Sequence, residues 1–365
     1  MTIKKFYILC AALFCFMAVS AQQNISVSSP DGKLKFLLKI TPETVSYEVN
    51  YKKQLLVENS LLGFNFDNGE FGSNLKSGKV RRKSIDETYE LVVGKVSSAR
   101  NHCNEMIVPL QEKEVPGRLI NLVVRAFNDG VAFRYEFPEQ EGWNSYVMYD
   151  EKTQFRLNGN PMVLLMYLPG YINTHEGVYT HTEYDKIAKK RLIEMPVTLE
   201  FDNGIYMSIT EAAVRDYAGM YLVKEKNGFA GKLSPRLGQE KIKVEINEFP
   251  HRTPWRVLSV ADRVGGLLET NILTSLNEPC KIEDTSWIKP CRTTFTWWNG
   301  NVVPDSTFSP GNNFETNKYY IDFAARNGLD AHGIYGYAET PWYYDDNFCL
   351  LYTTDAADDL IGVDL

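Results

Sequence analysis

With 365 residues, 44% hydrophobic and 23% charged, the chain has the composition of a globular protein long enough for two domains, which excludes intrinsic disorder. A formal net charge of −7, with no basic stripe, argues against binding to a nucleic-acid backbone. The 21 Tyr, 19 Phe and 6 Trp favour a sheet-rich core, where aromatic rings bury large areas, and rings of this kind also stack on sugars.

In chain order, residues 1–21 read as a signal peptide. Lys4 and Lys5 precede the apolar stretch 6–17, and Val19, Ser20 and Ala21 are small enough for cleavage before Gln22. The stretch is shorter than the roughly 20 residues a membrane span needs. A secreted or periplasmic location follows as an expectation, with no membrane span elsewhere. Cys10 and Cys15 would leave with this segment. Among Cys103, Cys280, Cys291 and Cys349 the spacing permits a Cys280–Cys291 bridge without demanding one, and no C-x-x-C pair suggests zinc.

Residues 22–276 read as strands and turns. Segment 25–40 alternates apolar and polar residues around a Pro30-Asp31-Gly32 turn, and 45–51 continues the alternation. Strands are predicted at 119–127 and 131–137 around Asn128-Asp129-Gly130, and at 195–201 and 205–209 around Asp202-Asn203-Gly204. Residues 252–261 form the last strand and 264–276 a bridging helix. Many strands at hairpin spacing, without helices between them, indicate a large β-sandwich.

Residues 277–348 change pattern to that of an opening β/α barrel. The β-branched and aromatic run 293–298 predicts a strand, Asn299-Gly300 breaks it, and a polar loop reaches Asn312. Phe314, Ile321, Ala324 and Ala325 fall on a helical period ended by Gly328, and 332–338 predicts the next strand. Trp297 and Trp298, at the end of the first strand, and Glu339, at the end of the second, occupy the rim where barrel enzymes contact substrate. Adjacent strand residues point to opposite sides, so one Trp would face the barrel and the other the helices; either ring could equally be core. Residues 349–365 resemble the translation of a sequencing-library adapter rather than native sequence.

His175-Glu176 and His181-Thr182-Glu183 lie in a Gly- and Tyr-rich segment. They lack the H-E-x-x-H spacing of a zinc helix, while Glu176 or Glu183 would suit calcium, a hard cation that prefers oxygen. By spacing alone, solvated loop charges are the better reading. No G-x-S-x-G elbow and no Gly-rich phosphate loop follows a strand.

The run 284–300, with Thr210-Glu211-Ala212, Asp216-Tyr217, Asn277-Glu278-Pro279 and Tyr335-Gly336-Tyr337-Ala338-Glu339, resembles glycoside hydrolase family 97 over nearly the whole of 22–348. The Trp297-Trp298-Asn299-Gly300 form is most similar to the retaining α-galactosidase branch. That resemblance implies a β-rich plus α/β fold, an N-terminal β-super-sandwich followed by an incomplete (β/α)8 barrel. It implies an oligosaccharide or α-galactoside substrate and a Ca2+ ion with one carboxylate from the sandwich, matched here by Glu176. It places the catalytic carboxylates on later barrel strands, so no catalytic residue is assigned and the chain is expected to be inactive alone. Cys291 departs from the pattern, since Gly usually follows the Lys-Pro pair. The alternatives are an inverting α-glucosidase of the same family and a non-catalytic carbohydrate-binding sandwich.

Overall fold

The computed structural model describes residues 22–304 and 307–334, and divides the chain into two compact units. The first holds residues up to 281 apart from the short segment 92–95, and the second holds that segment and the residues from 282.

The first unit is built from two large antiparallel sheets. One runs in the order Gln23–Ser28, Leu34–Ile40, Val45–Tyr51, Gln54–Leu62, Gln154–Leu157, Gly228–Leu233, Met220–Glu225, Leu192–Ile193. The other runs from Arg81–Glu90 through Ser98–Glu112, Leu119–Phe127, Gly130–Phe137, Trp255–Ala261, Tyr206–Ala212 and Val197–Glu200. Strand Met162–Leu168 belongs to both. Its beginning pairs with Val197–Glu200, and Tyr167 and Leu168 pair with Leu192–Ile193. A smaller sheet of four strands includes Tyr146–Glu151 and Phe64–Phe66.

Period-two alternation explains this arrangement. In Leu34–Ile40 the residues Leu34, Phe36, Leu38 and Ile40 are buried while Lys35, Leu37 and Lys39 between them face outward. The predicted Pro-Asp-Gly turn is present: Gly32 adopts φ +72°, and the Asp31 carboxylate accepts hydrogen bonds from the Ser29 hydroxyl and the Lys33 N–H. Between the sheets Phe36 stacks on Tyr47 at 5.1 Å, and Phe133 of the opposite sheet approaches Tyr47 at 5.0 Å. Such pairs contribute about 0.5–1.5 kcal/mol beyond burial.

The last strand starts later than the predicted 252–261. Pro254 has no N–H to donate, and the ladder resumes at Trp255. The break is spanned by Thr253, whose hydroxyl accepts the Tyr135 N–H and whose own N–H reaches the Tyr135 carbonyl, both at 3.0 Å. Trp255 and Val257 then face outward, where Ile272 and Leu276 cover them. The predicted single helix 264–276 is instead two short helices, Gly266–Glu269 and Ile272–Leu276. Extended Thr270 separates them and its hydroxyl accepts the Ile272 N–H, an alternative to helical bonding beside the weak helix formers Gly265 and Gly266.

The inward side of the same strand carries a charge. Arg256, fully buried, donates two hydrogen bonds to Glu151, at 2.8 and 2.6 Å, and one to Glu211 at 2.6 Å. Thr153 and Tyr217 hydroxyls each donate to Glu151 at 2.8 Å, and the Met220 N–H donates to Glu211. Burial pushes the Glu151 carboxyl up, but the guanidinium outweighs it and holds the group below its usual range. For Glu211 burial wins, and its carboxyl lies above the ordinary value.

In the second unit, Thr293–Phe295 pairs in parallel with Ala331–Gly333, with helix Phe314–Arg326 between them in sequence. A parallel pair needs such a crossover. Asn313 caps the helix by accepting the Thr316 N–H at 3.0 Å. At the other end Gly328 takes φ +62°, while the Leu329 N–H returns to the Ala324 carbonyl at 2.9 Å. Buried His332 bridges Thr294 and Asn317 at 2.7 and 2.9 Å. The class is therefore β-rich plus α/β as read, and the described residues contain one βαβ unit of the expected barrel.

Removing the guanidinium leaves two carboxylates facing each other in the core, so Arg256→Ala should cost about 3–5 kcal/mol. Urea denaturation of the chain measures this; a loss under about 1 kcal/mol would contradict it. Because the folded Glu151 value is depressed, its contribution is complete above the ordinary value of about 4.3 and fades as pH falls through the lower folded value. Glu151→Gln should be less stable at pH 7 and should lose less stability on acidification, read from denaturation midpoints between pH 7 and 3.

Candidate functional site

The shared strand Met162–Leu168 ends at Pro169 and Gly170, and the chain returns as Tyr179–Glu183. The loop between them carries His175 and Glu176. Met166 fixes its base: its carbonyl accepts the Glu194 N–H at 3.0 Å and its sulfur accepts the Gly177 N–H at 3.1 Å. A Cβ at Gly177 would lie 2.8 Å from that sulfur, so any larger residue there would have to displace the Met166 side chain. Asn173 shapes the middle of the loop, donating to the Gly170 carbonyl at 2.8 Å and accepting the His175 N–H at 2.7 Å.

These bonds turn His175 to φ +56° and bring its Nδ1 within 2.6 Å of Glu194 Oε1. The other Glu194 oxygen is buried with no partner among the described residues. The His175 ring lies nearly parallel to Tyr221 at 6.2 Å, and Tyr171 meets Tyr221 edge-on at 5.3 Å. Burial raises both phenols, aided at Tyr221 by Glu194 and Glu211, so each remains a hydroxyl donor at neutral pH. Glu176 is exposed and makes no hydrogen bond or ion pair among the described residues.

The predicted residues divide clearly. His175 and Glu176 share the loop, whereas His181 is exposed on the returning strand and Glu183 is engaged with Lys186 at 2.9 Å. Among the described residues no group of three or more His, Cys, Asp or Glu could hold a metal ion. Glu176 alone is therefore one carboxylate available to a hard cation, not a complete site. Cys280 and Cys291 are exposed free thiols, and the permitted bridge between them is not formed.

The strand predicted over 293–298 ends at Phe295, and Thr296–Asn299 form a 3-10 turn before Gly300 at φ +70°. The opposed strand directions inferred for Trp297 and Trp298 consequently do not apply. Trp298 is 81% exposed, and the backbone of Trp297 lies in the same turn. Glu339 lies outside the described residues. Sequence reasoning missed Glu194, Tyr171 and Tyr221. The local abundance of Tyr was the available signal for the rings; none marked Glu194, which meets His175 only through the sheet.

A two-sheet super-sandwich carrying this loop, with a βαβ unit in the second compact unit, defines a recognisable class. The glycosyl-hydrolase 97 N-terminal family matches residues 27–279, and the chain belongs to glycoside hydrolase family 97. It is 27% identical over 356 residues to a retaining alpha-galactosidase of Bacteroides thetaiotaomicron, covering 90% of this chain and 52% of the relative. Identity to a probable retaining alpha-galactosidase of Streptomyces bingchenggensis is 26% over 343 residues, covering 93% and 50%. Among solved structures, a family 97 enzyme from Pseudoalteromonas sp. strain K8 in complex with panose superposes with a TM-score of 0.78 at 28% identity, covering 92% of this chain and 53% of that one. The chain thus spans about half the length of the relatives it matches.

His175→Ala should release the loop from Glu194. A half-exposed contact of this kind is worth about 1 kcal/mol, so amide exchange across residues 170–177 should quicken roughly fivefold with the global midpoint unchanged. Unaltered exchange would show that Met166 and Asn173 suffice to hold the loop.

Proposed function

We propose that the protein to which this chain belongs is an exported, calcium-dependent exo-glycosidase that removes terminal α-galactosyl groups with retention of configuration. The observation that carries the reading is the family 97 match over 27–279, taken with two relatives named as retaining α-galactosidases. Retention requires two carboxyls about 5 Å apart, one as nucleophile and one as acid and base. No described residue is assigned either role, and at half the relatives' length the 365-residue chain by itself should show no turnover.

Glu176 is the sandwich's contribution to the calcium site in this reading. Its chemistry fits: a free carboxylate on a loop held by Met166, Asn173 and Glu194 can be presented without losing another contact. When bound, calcium supplies positive charge and a point of attachment for sugar oxygens, with most of its six to eight ligands coming from elsewhere. Glu194 orients the loop through His175. Trp298 offers an exposed ring for the apolar face of a sugar, and Trp297 and Glu339 complete the proposed substrate contacts.

The full-length protein should release galactose from an aryl α-galactoside faster than glucose from the α-glucoside, with the α-anomer appearing first by NMR. First appearance of the β-anomer, or preference for the glucoside, would favour the inverting α-glucosidase reading. Glu176→Gln in that protein should weaken calcium binding by calorimetry at least roughly tenfold, because a neutral amide replaces a charged ligand. Equal affinity would remove Glu176 from the site.

A further inference from the structure

The outer face of the first sheet contains a cleft of about 420 Å³ at its seam with the four-stranded sheet. Its floor follows from the ladder. In Met220–Glu225 the residues Met220 and Leu222 enter the core, so Tyr221 and Val223 face outward. Val223 lies opposite Ala230, which lies opposite Gln154, and Tyr221 lies opposite Lys232. Directly opposed residues share a face, so these side chains form one continuous surface across three strands. Ala230 and Gly231 keep the middle flat, while Gln154, Lys232, Asp150 and Glu225 stand around it.

What distinguishes the lining is uncommitted hydrogen-bonding capacity. The Gln154 amide nitrogen, the Lys232 ammonium and the Glu225 carboxylate make no hydrogen bond among the described residues, and Asp150 Oδ1 has no partner there. Burial raises the Asp150 carboxyl, offset in part by Lys232. Acidic groups outnumber cations in the lining: Glu43, Asp150 and Glu225 stand against Lys232, while Lys152 is already paired with Glu70 at the rim at 2.5 Å. A phosphorylated ligand would need a surplus of cations, and an apolar ligand would need apolar walls. Vicinal hydroxyls, each both donor and acceptor, match the arrangement. Along the same strand, two residues from Val223, Tyr221 with its edge-on partner Tyr171 adds half-buried aromatic surface for a sugar's C–H face.

We propose that this cleft and the adjoining tyrosine pair bind a neutral saccharide of two or three units. The inference does not rest on the catalytic reading, and a parent without α-galactosidase activity would leave it standing.

The test is a titration of the 365-residue chain with melibiose, panose and glycerol, followed by saturation-transfer NMR and calorimetry in EDTA. Saturable millimolar binding of at least one saccharide, but not of glycerol, is expected with calcium removed. Gln154→Ala and Lys232→Ala truncate outward-facing side chains and should each weaken binding at least fivefold with unchanged circular dichroism. Ala230→Leu, which fills the floor, should abolish it. Absence of saturable binding by the native chain, equal affinity in both truncation variants, or loss of binding on calcium removal would overturn the proposal.

Discussion

Arg256 sits where two requirements of the sandwich collide. Its strand must bury both faces, yet the inward face here holds a guanidinium, which is costly to remove from water. The cost is offset because the planar fork meets Glu151 with two bonds and Glu211 with a third, while Thr153, Tyr217 and the Met220 backbone occupy much of the remaining oxygen capacity. The three charged residues come from Tyr146–Glu151, Tyr206–Ala212 and Trp255–Ala261, so one polar knot specifies how these segments meet. Glu151 also lines the outer cleft, which places the surface described there directly over this fixed point.

The loop with Glu176 depends on a different device. Met166 belongs to the strand held in both sheets, and it contacts the loop through its sulfur and Glu194 through its carbonyl. An exposed carboxylate is thereby carried on a short tether to buried structure. A hard-cation ligand needs this combination of solvent access and a defined backbone.

Much of the fold was legible because it rests on local chemistry. The Pro30-Asp31-Gly32 and Asp202-Asn203-Gly204 turns are where their residues demand a turn, with Gly32 at φ +72° and Gly204 at φ +74°. Helix Phe314–Arg326 ends at the expected glycine, with Gly328 at φ +62°. Arg81–Glu90 shows why other parts were not individually legible. It is largely exposed and has no apolar alternation to mark it. Cross-strand pairs with Ser98–Glu112 support it, including Asp86 with Arg100 at 2.7 Å and Lys83 with Glu105 at 3.2 Å. The Trp297-Trp298 pair misled in the opposite sense, since aromatic content suggested strand where the backbone turns. For the candidate site, the loop with His175 and Glu176 was marked by its own residues, while Glu194 was not, because its meeting with His175 is a tertiary event 19 residues away.

Strand Met162–Leu168 also constrains how the sandwich can come apart. Neither large sheet has a complete set of neighbours until this strand is in place. The pairings that join the hairpins within each sheet, such as Gln54–Leu62 with Gln154–Leu157 and Gly130–Phe137 with Trp255–Ala261, link distant segments of the chain. Such a topology assembles slowly, since loop closure precedes the contacts that reward it. Once formed, it offers no seam at which one sheet can open while the other persists. The amides of that strand therefore inherit the opening free energy of the whole unit, even where the loop it carries opens locally.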